Sequence, residues 1–197
     1  MKQIKLPVRN TFIESFSLRD VMSQDKVQMP DGKMGYKIAT TEINPNNPDL
    51  LQARENGAQI IWATINVELK MQNLISKYLF GIELENNKRR NFFNNEIMAV
   101  DSINYAFQKK LSLRIIKLEN LLTGKKYSEL ENKLKKIMIY RNAFAHGKLS
   151  IEKNKECRLE FYSSGPQVFQ LDDNLWCDIE SHFQIVNNLL GEAWKKL

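Results

Sequence analysis

One short run in this 197-residue chain holds the side chains best suited to chemistry: Arg141-Asn142-Ala143-Phe144-Ala145-His146-Gly147. It sets a guanidinium, a carboxamide and an imidazole close together at the end of a strongly patterned helical segment. The chain has only two histidines, and this run holds one of them. A guanidinium is always charged and matches phosphate oxygens, while an imidazole gains and loses its proton near neutrality. Together they are the minimum equipment for cleaving a phosphodiester without a metal. The plainer reading is a histidine that complements the negative end of a helix and an arginine that binds carboxylates.

These residues need a helix to hold them. Apolar residues at helical spacing run from Leu130 through Leu134, Ile137 and Met138, with Ser128 as the expected cap. At about 100° per residue, Leu134, Ile137, Met138, Phe144 and Ala145 fall within roughly a quarter-turn of Leu130. Arg141 falls there too, inside the apolar stripe. A buried guanidinium without a partner is costly, so Arg141 is expected at a seam: an inter-helix groove, a subunit interface or a ligand. Lys135, Asn142 and His146 share an adjoining face, roughly 120–160° from Leu130. Asn142 and His146 are four residues apart and can touch. A last turn loosened at Gly147 would swing the imidazole toward Arg141.

The rest of the chain reads as mainly helical. Thr11-Phe12-Ile13-Glu14 is a capping-box pattern that predicts a short helix to about Met22. Met29-Pro30-Asp31-Gly32-Lys33 is a turn signal, so a small hairpin is expected from Val27-Gln28 to Tyr36-Lys37-Ile38. Asn47 caps and Pro48 opens a helix over residues 48–80. Its expected apolar face is Leu51, Ala58, Ile61, Ile65, Leu69, Leu74, Ile75 and Tyr78, with Gly57 a weak point and Gly81 a stop. Lys88-Arg89-Arg90 is expected in a loop. A second helical stretch spans about 94–122 through Ile97, Val100, Ile103, Phe107 and Leu111, divided near Ser112. After Gly147 the period becomes two, and Cys157–Tyr162 with Val168–Leu171 predicts a short β-hairpin. Asp172 or Asp173 caps a last helix carrying Leu175, Ile179, Phe183, Val186, Leu190, Ala193 and Trp194. The expected fold is therefore all-α, an antiparallel bundle of four to five helices. It has a short hairpin before the last helix and an irregular extension at 1–46, giving a helical domain over 47–197.

Composition narrows the function classes. Hydrophobic residues make up 43%, so the chain is globular, and a net charge of +6 permits an anionic partner without requiring one. The two cysteines, Cys157 and Cys177, have no redox or zinc spacing and read as core thiols. The N-terminus lacks an apolar signal core, and the longest uncharged stretch, Gly57 to Val67, stops at Glu68. A soluble, cytoplasmic protein with no membrane contact is expected. No ligand cluster has metal spacing and no glycine-rich phosphate loop is present, so neither metal nor cofactor is expected. His182 and Cys177 are spaced wrongly for one helix face. Lys88-Arg89-Arg90 beside Asn91-Phe92-Phe93 could hold single-stranded RNA, but a solvated loop is the plainer reading.

The run Arg141-Asn142-Ala143-Phe144-Ala145-His146 resembles the signature of the HEPN superfamily: Arg, a polar residue, three residues, then His, often followed by glycine. The resemblance covers about residues 48–197, including the preceding long helices and the final amphipathic one. It implies a homodimer in which two motifs meet as a metal-independent endoribonuclease, a toxin or antiviral defence effector. The partners implied are RNA, a second copy, and in toxin systems an antitoxin or inhibitor protein. The other implied class is a non-catalytic nucleotide- or protein-binding module. The catalytic set would be Arg141, Asn142 and His146, with Lys135 and Lys148 binding substrate. One branch of the family carries a tyrosine two residues after the histidine, which a partner modifies. Lys148 stands there, which argues against that control.

Overall fold

The computed structural model describes residues 47–82, 87–98, 100, 103–151 and 157–197, together with two short paired strands. In chain order the elements are β1 (Lys26–Gln28), β2 (Met34–Tyr36), α1 (Pro48–Phe80) and α2 (Asn87–Phe92), which continues into a π-helical turn, Phe93–Ile97. Then come α3 (Tyr105–Leu118), α4 (Gly124–His146), β3 (Lys148–Ile151), β4 (Cys157–Tyr162), β5 (Pro166–Gln170) and α5 (Asp173–Lys196). The protein is thus mostly helical with a small antiparallel sheet. β1 and β2 pair as the expected hairpin, Val27 opposite Gly35. The expected helix over 11–22 and the turn at 29–33 lie outside the described residues.

The chain forms two compact units, Met1–Glu55 with Gly147–Leu171, and Asn56–His146 with Asp172–Leu197. The first turns of α1 belong with the sheet, because Leu50 and Ala53 share a buried cluster with Ile151 and Cys157. Asn47 caps α1, its side chain accepting from the Asp49 amide at 2.9 Å. β3, β4 and β5 form a three-stranded antiparallel sheet, with Leu149 opposite Leu159 and Leu159 opposite Phe169. β4 and β5 are the expected hairpin. β3 was not expected, since four residues directly after a helix are too few to establish a period.

In the second unit α4 and α5 run antiparallel. Lys126 meets Glu192 at one end and Phe144 meets Trp176 at the other. α1 lies alongside α4 with the opposite direction: Gly57 faces Phe144, where an added Cβ would sit 2.9 Å from the ring. Gly57 is therefore not a weak point but the place where two helices approach closely. The buried stripe of α1 is Leu50, Ala53, Ile60, Val67, Met71, Leu74 and Ile75. Leu51, Ile65, Leu69 and Tyr78, expected in the core, are exposed. Apolar residues occupy two stripes of this helix, and the one with small residues (Ala53, Gly57, Thr64) packs.

Four further expectations are corrected. The stretch 94–122 is not one helix divided at Ser112. It breaks before Asn104, whose side chain caps α3 by accepting from the Phe107 amide at 3.2 Å, and Ser112 is buried mid-helix. Lys88-Arg89-Arg90 is helical, not a loop. α4 begins at Gly124, and the Ser128 hydroxyl donates back to the Gly124 carbonyl from within the helix. Cys157 is buried but Cys177 is exposed, so only one thiol is in the core. Asp172 caps α5, accepting from the Leu175 amide at 2.8 Å.

Candidate functional site

Packing along α4 decides where the motif points. Leu130, Leu134 and Ile137 are fully buried, followed by Tyr140 and Ala143. Over the last turns the buried face rotates toward α5 and Gly57. Tyr140 donates to Asp178 Oδ2 at 2.9 Å and meets the His182 ring edge-on. Phe144 lies against Trp176 with ring centroids 5.7 Å apart. This rotation carries the core away from Arg141. The guanidinium is exposed, not embedded in an apolar stripe, and Ala145 is exposed as well.

Arg141 Nη1 donates to Asn142 Oδ1 at 3.0 Å. Both residues line a groove of about 550 Å³ with Glu68, Gln72, Tyr105 and Met138. Thus the first form of the expected seam, an inter-helix groove, is what Arg141 faces. Burial pushes the Glu68 carboxyl above its ordinary range, and the charge of Arg141 offsets part of that rise. Tyr105 donates its hydroxyl to the Leu134 carbonyl at 2.9 Å. Burial, and secondarily the charge of Glu68, pushes that phenol well up, so it remains protonated.

His146 is the last residue of α4 and is exposed. It has no hydrogen bond or ion pair among the described residues. Helical geometry puts it one turn beyond Asn142 on the same face. It does not line the groove, and no hydrogen bond joins it to Arg141. The helix continues through His146, so the ring is not swung toward the guanidinium. The carboxamide oxygen of Asn142 holds Arg141 and does not orient the imidazole.

Lys135 is exposed and lines a different groove, of about 520 Å³, with Lys125, Lys133, Lys136 and His182. Lys148 is exposed at the start of β3 and pairs across the sheet with Glu160. Lys88 and Arg89 are exposed. Arg90 is occupied, donating to the Gly81 carbonyl at 3.3 Å and to Asn87 Oδ1, which favours a structural role for that cluster.

Sequence reasoning missed Glu68 and His182. His182 is 4% exposed. Its Nδ1 contacts the Asp178 carbonyl, and its Nε2 lies 3.2 Å from Lys133 Nζ. Nδ1 carrying the proton and Nε2 accepting from the ammonium satisfy both contacts. The available signal was position: His182 falls three residues after Ile179 and four before Val186, on the buried stripe of α5.

Among the described residues no group of three His, Cys, Asp or Glu could hold a metal ion. No helix among them is long and apolar enough to cross a membrane. No family model, curated protein or solved structure matches this chain.

Proposed function

We propose that this chain is a HEPN-like endoribonuclease, its helices the antiparallel bundle of that family, acting as a homodimer without a metal. The observation that carries the reading is the open end of α4. Arg141 and Asn142 are hydrogen-bonded to each other at a groove, and one turn on stands an exposed His146 with no hydrogen bond or ion pair among the described residues. RNA brings its own nucleophile, the 2′-hydroxyl. Attack on the adjacent phosphorus forms a 2′,3′-cyclic phosphate and expels the 5′-oxygen. The step needs a base for the hydroxyl proton, an acid for the leaving oxygen, and positive charge on the phosphorane. Arg141 supplies the charge and His146 one proton-transfer group. Asn142 fixes the direction of the guanidinium.

One chain provides one motif imidazole, and the reaction uses two proton-transfer groups, so a second copy completes the site. Val100, an exposed apolar side chain that lines the groove, favours such an association. A toxin or antiviral effector role follows from uncontrolled RNA cleavage, with an inhibitor protein as its counterpart.

The test is RNA cleavage in EDTA. Products ending in 2′,3′-cyclic phosphate are expected. Arg141→Ala and His146→Ala should abolish cleavage while light scattering still reports a folded dimer. Cleavage that survives both substitutions would refute the proposal.

A further inference from the structure

The second groove on α4 is strongly basic. Lys125, Lys133, Lys135 and Lys136 line it, against one carboxylate, Glu129. Lys125, Lys135 and Lys136 have no ion pair or hydrogen bond among the described residues. Lys126, the neighbour that points elsewhere, is neutralised by Glu192 at 2.7 Å. The groove also has a built element. Lys133 Nζ lies 3.2 Å from the buried His182 Nε2, and the other ring nitrogen contacts the Asp178 carbonyl. An ammonium anchored to a buried imidazole is held in place, whereas a free surface lysine samples many rotamers.

Spacing identifies the ligand class. Lys125 and Lys136 are eleven residues apart, about 16 Å along the helix. One phosphate cannot engage both ends, but a strand that carries one negative phosphate per nucleotide can. The groove also has a direction. Ser128, Lys135 and Asn142 follow at seven-residue intervals and His146 stands four further on, all within about 40° around α4. Of the lysines, Lys135 stands in this row, so a strand held there runs along the face of α4 that carries Asn142 and His146.

We infer that this groove is a binding track for the phosphate backbone of single-stranded nucleic acid, feeding the strand to His146. The choice of RNA as the physiological strand rests on the endoribonuclease reading; the affinity for phosphates does not. The track sets affinity and register, and it takes no part in the bond-breaking step.

The experiment is anisotropy of a fluorescent 2′-O-methyl oligoribonucleotide, which lacks the free hydroxyl and resists this cleavage, titrated with the full chain. Salt is varied from about 50 to 200 mM. The triple substitution Lys125→Gln, Lys135→Gln, Lys136→Gln should weaken binding at least about tenfold at low salt. It should also lower the salt slope by about 2, near 0.7 for each lost contact. A control with the same charge change, Lys88→Gln, Arg89→Gln and Lys117→Gln, should leave the slope within about 0.7 of the parent. Equal loss in both triples, or no loss in the groove triple, overturns the track. Binding that depends on the groove in a chain that cleaves no RNA keeps the track and removes the nuclease. Cleavage and binding both indifferent to the groove triple do the reverse.

Discussion

The two histidines of this protein occupy opposite conditions. His182 is buried against α4, its Nδ1 on the Asp178 carbonyl and its Nε2 at Lys133, with Tyr140 meeting it edge-on. His146 stands at the open end of α4, exposed and unpartnered among the described residues. A proton-transfer group must reach a substrate and change protonation without disturbing the fold. His146 is exposed, so a substrate can reach it. His182 is buried with both ring nitrogens engaged, so no substrate reaches it. The same side chain is thus a structural polar anchor at one place and a candidate reagent at another, and what surrounds it makes the difference.

The largest expected effect separates the two. His146→Ala should lower RNA cleavage by about 10²- to 10⁴-fold, the usual range for a lost acid–base group. Its urea midpoint should barely move, within about 0.5 kcal/mol, as for an exposed side chain. His182→Ala should do the opposite. It leaves Lys133 without its acceptor and opens a void beside Tyr140, at a cost of about 2–3 kcal/mol. The cleavage rate of the folded molecule at saturating RNA should be retained, with any loss confined to RNA affinity. If His182→Ala removes cleavage and His146→Ala does not, the assignment is reversed and the chemistry belongs to the lysine groove.

Local signals in the sequence were legible because they act locally. Asn47 and Asp172 cap α1 and α5 as their side-chain chemistry requires, and the helical period of α5 named five of its seven buried residues, missing His182 and Leu189 and counting Trp194, which is exposed. The residues of the motif and their place at a helix end could be read as well. Choices between near-equal alternatives were not legible. α1 carries two apolar stripes, and only the approach of Phe144 to Gly57 selects one. The apolar spacing of Ile97, Val100 and Ile103 continues a helical pattern straight across the break that Asn104 makes by capping α3. The direction of Arg141 depended on a rotation of the buried face imposed by α5, which no residue of α4 encodes alone.

A smaller effect tests whether the open end depends on the packed region beneath it. In Gly57→Ala the new Cβ meets Phe144 Cδ1 at 2.9 Å, and that ring is backed by Trp176. Overpacking of this kind costs about 1–3 kcal/mol, against a gain of about 1 kcal/mol in helix propensity. A net loss near 1 kcal/mol in a urea titration is expected. Because Phe144 lies between Asn142 and His146, cleavage should fall several-fold while the unfolding midpoint stays high enough for the chain to be fully folded in the assay. Unchanged cleavage would mean that the last turn of α4 holds its geometry independently of α1.

The smallest effect concerns Arg141, whose charge the proposed reaction places on the phosphate. Among the described residues that line the groove, the opposite charge is that of Glu68, whose carboxyl is pushed above its ordinary value near 4.5, chiefly by burial. A raised carboxyl is protonated in both folded and unfolded chains at low pH, so it then costs nothing. As pH rises through its folded value, the buried charge costs stability. Glu68→Gln should therefore be more stable than the parent at about pH 7, with the advantage closing toward pH 4, in urea midpoints taken across that range. The opposite sign, a variant weaker at neutral pH, would mean that attraction to Arg141 outweighs burial. Arg141 would then be neutralised within its own chain, and its charge would be only partly available to a phosphorane. With the expected sign, Glu68 is a desolvated acid that leaves the guanidinium to its bond with Asn142, and the open end of α4 keeps its charge for an incoming anion.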